Sequence, residues 1–166
     1  MALKDALLPE YDHEMGTARR LLERVPEADL GWKPHEKSFS LGQLASHIAN
    51  IPHWIDAVCD VAVFDVASLG EDTRPREPKS VADVLKAFDD NVKKGRQKID
   101  AQVDAAMFVQ WTMTRGDQEI LTMRRISVLR TLIMNHLIHH RGQLSVYLRL
   151  RNVPVPAMYG PSADEG

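Results

Sequence analysis

The sequence predicts an all-α fold, a four-helix bundle with a short hairpin or an extended loop between the third and fourth helices. Four long segments carry apolar residues at spacings of three and four, the pattern of a helix with one buried face. The chain has 166 residues and no internal repeat or linker, so residues 1–166 are predicted to form one domain. Of these residues, 44% are hydrophobic and 27% are charged, which is typical of a globular protein with its own core.

Caps and prolines bound the first two helices. Helix one is predicted over residues 2–25, directly before Pro26. Ser40 is the predicted N-cap of helix two, whose apolar stripe extends over residues 41–58. Pro52 removes a backbone donor within this stretch, so we expect a kink there, or a helix that ends and restarts.

The second half of the chain carries two more helical stripes. A polar loop with two prolines covers residues 68–78, and Ser80 then resembles the cap of helix three, with its stripe over residues 81–99. Residues 107–123 are β-prone around an Arg-Gly-Asp turn, which predicts the hairpin or extended loop. The last helix is predicted over residues 124–151, before a tail that contains prolines.

Charge and composition exclude several classes of partner. The 21 basic and 23 acidic residues give a net charge of −2, whereas proteins that bind a phosphate backbone usually carry a basic excess. No segment approaches the ~18 consecutive apolar residues of a membrane span. The single cysteine, Cys59, cannot form an internal disulfide, and the N-terminal segment lacks the apolar core of a signal peptide. We therefore expect a cytoplasmic protein with neither nucleic acid nor membrane as a partner.

Three histidines of the last helix differ in the direction in which they point. Each residue turns ~100° about the helix axis, which places His140 within roughly 30° and His136 within roughly 70° of the centre of the apolar face. His139 lies ~130° away, on the polar side. Two imidazoles at i and i+4 on one face can share a metal ion. Leu137 stands where a His-Glu-x-x-His protease carries its general base, so a protease of that kind is excluded.

His47 of helix two is the candidate for a third ligand. It lies at the edge of the apolar stripe, whereas His53 falls on the opposite side of that helix. Three neutral imidazoles leave metal positions open to water or substrate, the pattern of a catalytic site. The alternative is that these histidines are packing residues. Two inward histidines in an apolar stripe would leave several nitrogens without partners, however, and a metal satisfies two of them at once. Imidazole ligands favour zinc first and nickel second as the divalent transition metal.

Weaker candidates lie near these positions. Trp54 could line the mouth of the site, although a core position is favoured for a tryptophan. Asn50 and Gln143 could orient the ligand imidazoles through their second nitrogens, or they could equally cap a helix or face water. Glu14 of helix one could approach the site, but a solvated face is favoured. Tyr159 could cover the pocket, but packing within the tail is favoured.

The segments SFSLGQLASHIANIPHW and NHLIHHRGQLSVYLRLRNVPVP, with the closing PAMYGPSADE, resemble the DinB/YfiT-like family of metalloenzymes. The resemblance covers nearly the whole chain. It implies a four-helix bundle with a three-histidine metal site, and carried over position by position the ligands are His47, His136 and His140. Similar proteins often form homodimers and bind zinc or nickel, and some are S-transferases or isomerases that use low-molecular-weight thiols.

Three functions stay open at this point. The first is a metal-dependent enzyme of small molecules, a hydrolase or a thiol S-transferase, in which the metal activates water or a low-molecular-weight thiol. The second is a metal-binding but non-catalytic, stress-related protein, and the third is a helical bundle with packed histidines. Gly142 bears on assembly, because a glycine within a helix costs roughly 1 kcal/mol and this one points away from the core. We expect another backbone to approach there, that of a second subunit in a homodimer.

Overall fold

The computed structural model describes residues 2–70 and 75–165, in which long helices pack together beside a small sheet. Within these residues, three short 3-10 segments extend the helical layer, Glu27–Asp29, Ile51–Trp54 and Val66–Leu69. A π-helical segment covers Leu129–Asn135, directly before the last helix. The α-helices are α1 (Leu3–Leu22), α2 (Leu41–Asn50), α3 (Ile55–Asp60), α4 (Val81–Asp100), α5 (Asp104–Met107), α6 (Arg125–Val128) and α7 (His136–Leu150). The strands are β1 (Val63–Asp65), β2 (Gln110–Arg115) and β3 (Gln118–Arg124).

The predicted caps and the proline break of helix two are confirmed. The Ser40 hydroxyl accepts a 3.0 Å hydrogen bond from the Gln43 backbone, and the Gln43 side chain accepts one from the Ser40 backbone, so α2 begins with a full capping box. At Pro52 the chain passes through a 3-10 turn before α3 begins. Ser80 caps α4 by accepting from the Asp83 backbone at 3.1 Å. Of the predicted loop at 68–78, residues 71–74 lie outside the described residues.

The prediction of an all-α four-helix bundle is wrong, because the chain also forms a three-stranded mixed sheet. The β-prone segment forms an antiparallel hairpin of β2 and β3, which turns at Gly116 with φ of 57°. β1 pairs with β2 in parallel, with Phe64 opposite Met113. β1 has three residues and its partner strand is distant in sequence, so no local pattern reports the pairing, and we missed this strand.

The helices meet in a core centred on α1, α2, α4 and α7. Tyr11 is fully buried and donates a 3.1 Å hydrogen bond to the carbonyl of Val92 on α4. Gly95 lets α4 approach the junction of α2 and α3, since a Cβ there would lie 2.6 Å from Cδ1 of Ile55 and 2.9 Å from the Tyr11 hydroxyl. Within residues 2–70 and 75–165, no helix has both the length and the apolar character needed to cross a membrane.

Candidate metal centre

The three histidines predicted as ligands lie together, between α2 and the first turns of α7. Nε2 of His136 lies 3.3 Å from Nε2 of His47 and 2.9 Å from Nε2 of His140. All three ligand atoms lie within 4.8 Å of one another, and the three side chains are half-buried. Each imidazole therefore presents one nitrogen to a common point.

Local features of both helices position these side chains. α2 carries His47 two turns after the Ser40 capping box, so the start of this helix is well defined. α7 begins at His136, immediately after the π-helical segment Leu129–Asn135. Segments of π-helix occur frequently at functional sites, because the wider turn changes the direction of the side chains that follow.

Burial keeps all three imidazoles neutral. For His47, burial is the largest cause, followed by the positive charges that His140 and His136 can carry, and its pKa falls to about 4. Burial also lowers the pKa of His136 and of His140, although hydrogen bonds to the Leu132 carbonyl and to Gln143, respectively, act in the opposite direction. A metal ligand must be a neutral imidazole, and at neutral pH these three are in that state.

A hydrogen bond at the second nitrogen fixes the tautomer of His140. Nδ1 of His140 lies 2.7 Å from Oε1 of Gln143, an atom that only accepts, so Nδ1 carries the proton. In neutral His140, Nε2 is then a bare lone pair, 2.9 Å from Nε2 of His136. This lone pair can accept a hydrogen bond from a protonated Nε2 of His136, or both nitrogens can ligate one metal ion.

The spacing of the nitrogens fits a bound divalent ion. Two imidazole nitrogens that ligate one zinc ion at ~2.0–2.1 Å lie about 2.9 Å apart at a right angle and about 3.4 Å apart at the tetrahedral angle. The separations of 2.9 and 3.3 Å fall in this range. The three-histidine group can therefore hold a divalent metal, and three protein ligands leave further metal positions open.

An apolar cavity of about 210 Å³ opens beside the centre. Two of its walls are the ligand candidates His47 and His136. The other lining residues are apolar or aromatic and come from helices, a 3-10 turn and β2: Trp54, Val58, Val66, Trp111, Met113, Val128, Leu132 and Ile133. Sequence reasoning missed all of these except Trp54, because they come together only when the sheet docks on the helices.

A cleft of about 480 Å³ also reaches His47, and we call it the polar cleft because charged and amide side chains form part of its walls. His47 and Trp54 line both the polar cleft and the apolar cavity, so the two spaces adjoin at these side chains. The remaining walls come from α2, α4 and the segment before α4, and include Ser46, Asn50, Arg76, Glu77, Asp83 and Asn91. Trp54 is therefore at the mouth of the site, a position the sequence suggested but did not favour.

The structure places the other residues that the sequence suggested either at the centre, in the polar cleft or away from both. Gln143 orients His140, as the sequence suggested, whereas Asn50 lines the polar cleft. His139 and His53 are exposed, in agreement with the helical wheels. Glu14 was expected on a solvated face, but it is only 6% exposed.

Glu14 is buried because it pairs with an arginine next to the candidate ligands. Arg141 is 1% exposed, and its Nη2 lies 2.7 Å from Oε2 of Glu14. Tyr159 in the tail donates to the same carboxylate at 2.8 Å and also contacts the guanidinium. This network connects α7 to α1 and to the tail directly beside His140, and the sequence contains no periodic signal that would reveal it.

The chain resembles known proteins over almost its whole length. Residues 3–166 match the model of the DinB family. The uncharacterized protein YrdA of Bacillus subtilis (strain 168) is 26% identical over 165 residues, which cover 97% of this chain and 90% of YrdA.

Two solved structures have the same fold. A DinB-like protein from Bacillus cereus ATCC 10987 has a TM-score of 0.72 at 20% identity, with 93% of this chain and 97% of that chain covered. The DinB-like protein YjoA of Bacillus subtilis has a TM-score of 0.71 at 16% identity, with 95% and 99% covered. At these identities the likeness concerns the fold alone.

Proposed function

The chain belongs to the DinB family, and from that premise we propose that it is a metal-dependent enzyme of small molecules, a thiol S-transferase or a hydrolase. One observation carries the proposal: Nε2 of His136 lies 2.9 Å from Nε2 of His140 and 3.3 Å from Nε2 of His47, so three imidazoles converge on one point. Three ligand atoms within 4.8 Å of one another fit a single divalent metal ion.

The residues of the centre have separate tasks in this proposal. His47, His136 and His140 hold the metal, and imidazole ligands favour zinc first and nickel second. Gln143 holds the His140 ring in the tautomer that directs Nε2 to the metal. When bound, a divalent ion of this kind lowers the pKa of a ligated water or holds a ligated thiol as its thiolate.

The spaces around the centre support an enzyme rather than a storage site. The polar cleft reaches His47 and the apolar cavity reaches His47 and His136, so each space brings a small molecule next to the ligand candidates. A non-catalytic, stress-related metal-binding protein is the second candidate. One observation favours it: among the described residues, the walls of the apolar cavity include no carboxylate or lysine that could move a proton.

Elemental analysis of protein purified without a metal-affinity column tests the metal centre. We expect about one zinc or nickel ion per chain, lost in His136→Ala and in His140→Ala. His139→Ala is the matched control, because its side chain is an exposed histidine of the same helix, and this variant should keep the metal. Absence of metal in the wild type, even after zinc and nickel reconstitution, would mean that the histidines are packing residues.

Turnover separates the candidate reactions. The metal-loaded protein is assayed with a low-molecular-weight thiol and an electrophile, and in parallel with a panel of esters and amides. Thiol-dependent product formation supports the transferase, and product formation without thiol supports the hydrolase. Bound metal without turnover in either assay, and with no exchangeable water on the metal, supports the non-catalytic alternative.

The proposal includes a homodimer in the cytoplasm. On the exposed side of α7, a Cβ on Gly142 would meet nothing within 4 Å, and Val146 and Leu150 are 57% and 56% exposed. Cys59 is buried and free, which suits a reducing compartment. Light scattering of the wild type and of Gly142→Leu tests the assembly. A monomeric wild type, or a variant with unchanged assembly and stability, would contradict an interface at Gly142.

A further inference from the structure

We propose that the apolar cavity beside His136 receives a compact, uncharged, apolar group of the substrate, while the polar remainder of the same molecule lies in the polar cleft. The inference rests on the proposed function, because it names the class of substrate that the metal centre acts on. A phenyl ring or a branched alkyl group of similar volume is the kind of group that the cavity fits.

The walls of the apolar cavity form a deep floor and an open rim. Val58, Trp111 and Ile133 are each 2% exposed, and Val128 is fully buried, so these four side chains form a floor that water does not reach from behind. The rim is half-buried and consists of Trp54, Val66, Met113 and Leu132. The cavity is therefore a pocket with an entrance, and a ligand can enter it without unfolding the core.

Phe64 holds the two aromatic walls in place. Its ring stacks on Trp111 at 6.4 Å between centroids with 10° between the planes, and it meets Trp54 edge-on at 5.5 Å. The indole nitrogen of Trp111 donates to the carbonyl of Ala57 at 3.1 Å, so that polar atom is already satisfied by the protein. Flat, apolar ring surfaces consequently dominate this part of the cavity, and such surfaces suit an aromatic or aliphatic group.

The volume and the polarity of the cavity limit what it accepts. At about 210 Å³ it exceeds the ~150 Å³ of an engineered apolar cavity that binds benzene in another protein. A charged group would lose its hydration there without gaining a partner, because the polar side chains of the wall are the imidazoles of His47 and His136 and the two indoles. An uncharged group of the size of a benzene ring, or somewhat larger, fits both constraints.

The polar cleft is the space in which we place the polar part of the substrate. It shares His47 and Trp54 with the apolar cavity, and it presents Asn50, Arg76 and Asp83 as hydrogen-bonding or charged groups. A ligand that spans the two spaces passes the His47 imidazole at their junction. The substrate is therefore expected to carry its reacting atom between an apolar end and a polar end.

Indole resonances report occupancy of the cavity directly. The chain has three tryptophans, of which Trp54 and Trp111 line the apolar cavity. Trp32 packs instead on Tyr147 at 5.8 Å and under Arg151, and it serves as the internal control. The full-length protein, zinc-loaded and after treatment with EDTA, is titrated with benzyl alcohol and with benzoate while the three indole N–H signals are followed by NMR.

Benzyl alcohol should shift the indole signals of Trp54 and Trp111 in both forms of the protein and leave that of Trp32 unchanged. Benzoate, which has the same ring with a charge, should bind at least about tenfold more weakly in the metal-free form. Equal responses of all three indoles, or equal affinities for the two probes in the metal-free form, would overturn the inference.

A cavity-filling variant provides the second arm of the test. Val66→Phe places a ring at the rim and should weaken benzyl alcohol binding about tenfold or more, since the added side chain occupies the same space. Val63→Phe is the matched control, because Val63 is 58% exposed on β1 and does not line the cavity. Thermal unfolding of both variants shows that they are folded. If Val66→Phe binds benzyl alcohol as well as Val63→Phe does, the ring of benzyl alcohol does not bind in the apolar cavity.

The metal measurements keep the two proposals separate. If the protein binds neither zinc nor nickel but the indoles respond as described, the metal-dependent enzyme is overturned and the cavity stands as a site for apolar ligands. If the metal is bound and the indoles do not respond to benzyl alcohol, the assignment of the substrate class fails and the metal centre stands.

Discussion

The candidate metal centre and the apolar cavity adjoin at His47 and His136, but they are built in different ways. The centre takes its three nitrogens from two helices, and two of them come from a single turn of α7. The walls of the cavity come from helices, 3-10 and π segments and the strand β2. Local helical geometry sets the pair on α7 and a single contact between two helices adds His47, whereas the cavity needs several distant segments to pack together.

The difference implies that binding of a metal and binding of an apolar ligand respond to different substitutions. Changes at the imidazoles or their hydrogen-bond partners should affect the metal while the cavity and the fold remain. Changes at the aromatic residues of the sheet should affect stability and ligand binding more than the metal. The following substitutions test this separation.

The largest effect is expected when the ligand from α2 is removed. His47→Ala leaves two imidazoles of α7 and should reduce metal content from about one ion per chain to background, as measured by elemental analysis. Loss of a half-buried ring should leave the fold intact, which circular dichroism checks. His53→Ala is the control, since His53 is an exposed histidine of the following turn. Retention of about one metal ion per chain in His47→Ala would show that α2 supplies no ligand to the metal.

The next effect concerns the floor of the cavity. Trp111→Ala should lower the free energy of unfolding by ~3–5 kcal/mol in urea denaturation, because a buried indole is lost from β2 together with its bond to Ala57. The folded fraction should still bind zinc, since the ligands are on the helices. Phe108→Ala, at a 49% exposed ring nearby, should change the unfolding free energy by less than ~1 kcal/mol. Loss of zinc from folded Trp111→Ala would show that the two regions depend on each other.

A smaller effect is expected at the partner of His140. Gln143→Leu removes the acceptor for Nδ1 and should weaken zinc affinity about 10–100-fold in competition with a chelating dye. Benzyl alcohol binding should be unchanged, because Gln143 does not line the apolar cavity. Gln143→Glu keeps an oxygen acceptor and should retain the affinity. If Gln143→Leu binds zinc as tightly as the wild type, the His140 imidazole does not depend on Gln143 for its orientation.

The smallest effect is expected at the helix N-caps. Two cap substitutions are compared, one on the helix that carries His47 and one on a helix that carries no ligand candidate. Ser40→Ala and Ser80→Ala each remove the side-chain acceptor at a helix N-terminus and should each cost ~0.5–2 kcal/mol of stability. Only Ser40 caps α2, which carries His47, so only Ser40→Ala should also weaken zinc binding. The same zinc affinity in both variants would show that the position of His47 does not depend on this cap.

Much of the helical part of the fold could be predicted from local patterns. The cap at Ser40, the break at Pro52 and the start at Ser80 each follow from the chemistry of one residue and its near neighbours. The inward direction of His136 and His140 follows from the helical period, although the π-helical segment before His136 was not foreseen. Gln143 was one of two residues suggested as partners of the ligand imidazoles, with capping or solvent exposure as the alternatives, and it contacts His140.

The residues that were missed have no local signal. β1 contains three residues and pairs in parallel with β2, so its hydrogen bonds depend on a segment far along the chain. Glu14 and Arg141 are buried as a pair, and neither residue type is expected inside a protein until its partner is known. The all-α prediction failed for the same reason.

Local patterns predict the helices, their caps and the histidines that face inward, because helical period and capping act over a few residues. Packing of the whole chain brings His47 to His136, places the sheet beside the helices, and buries Arg141 against Glu14. It also brings Trp111 and Met113 into a cavity next to His136. These contacts join segments whose separation along the chain carries no periodic signal, so they form only when the whole chain folds.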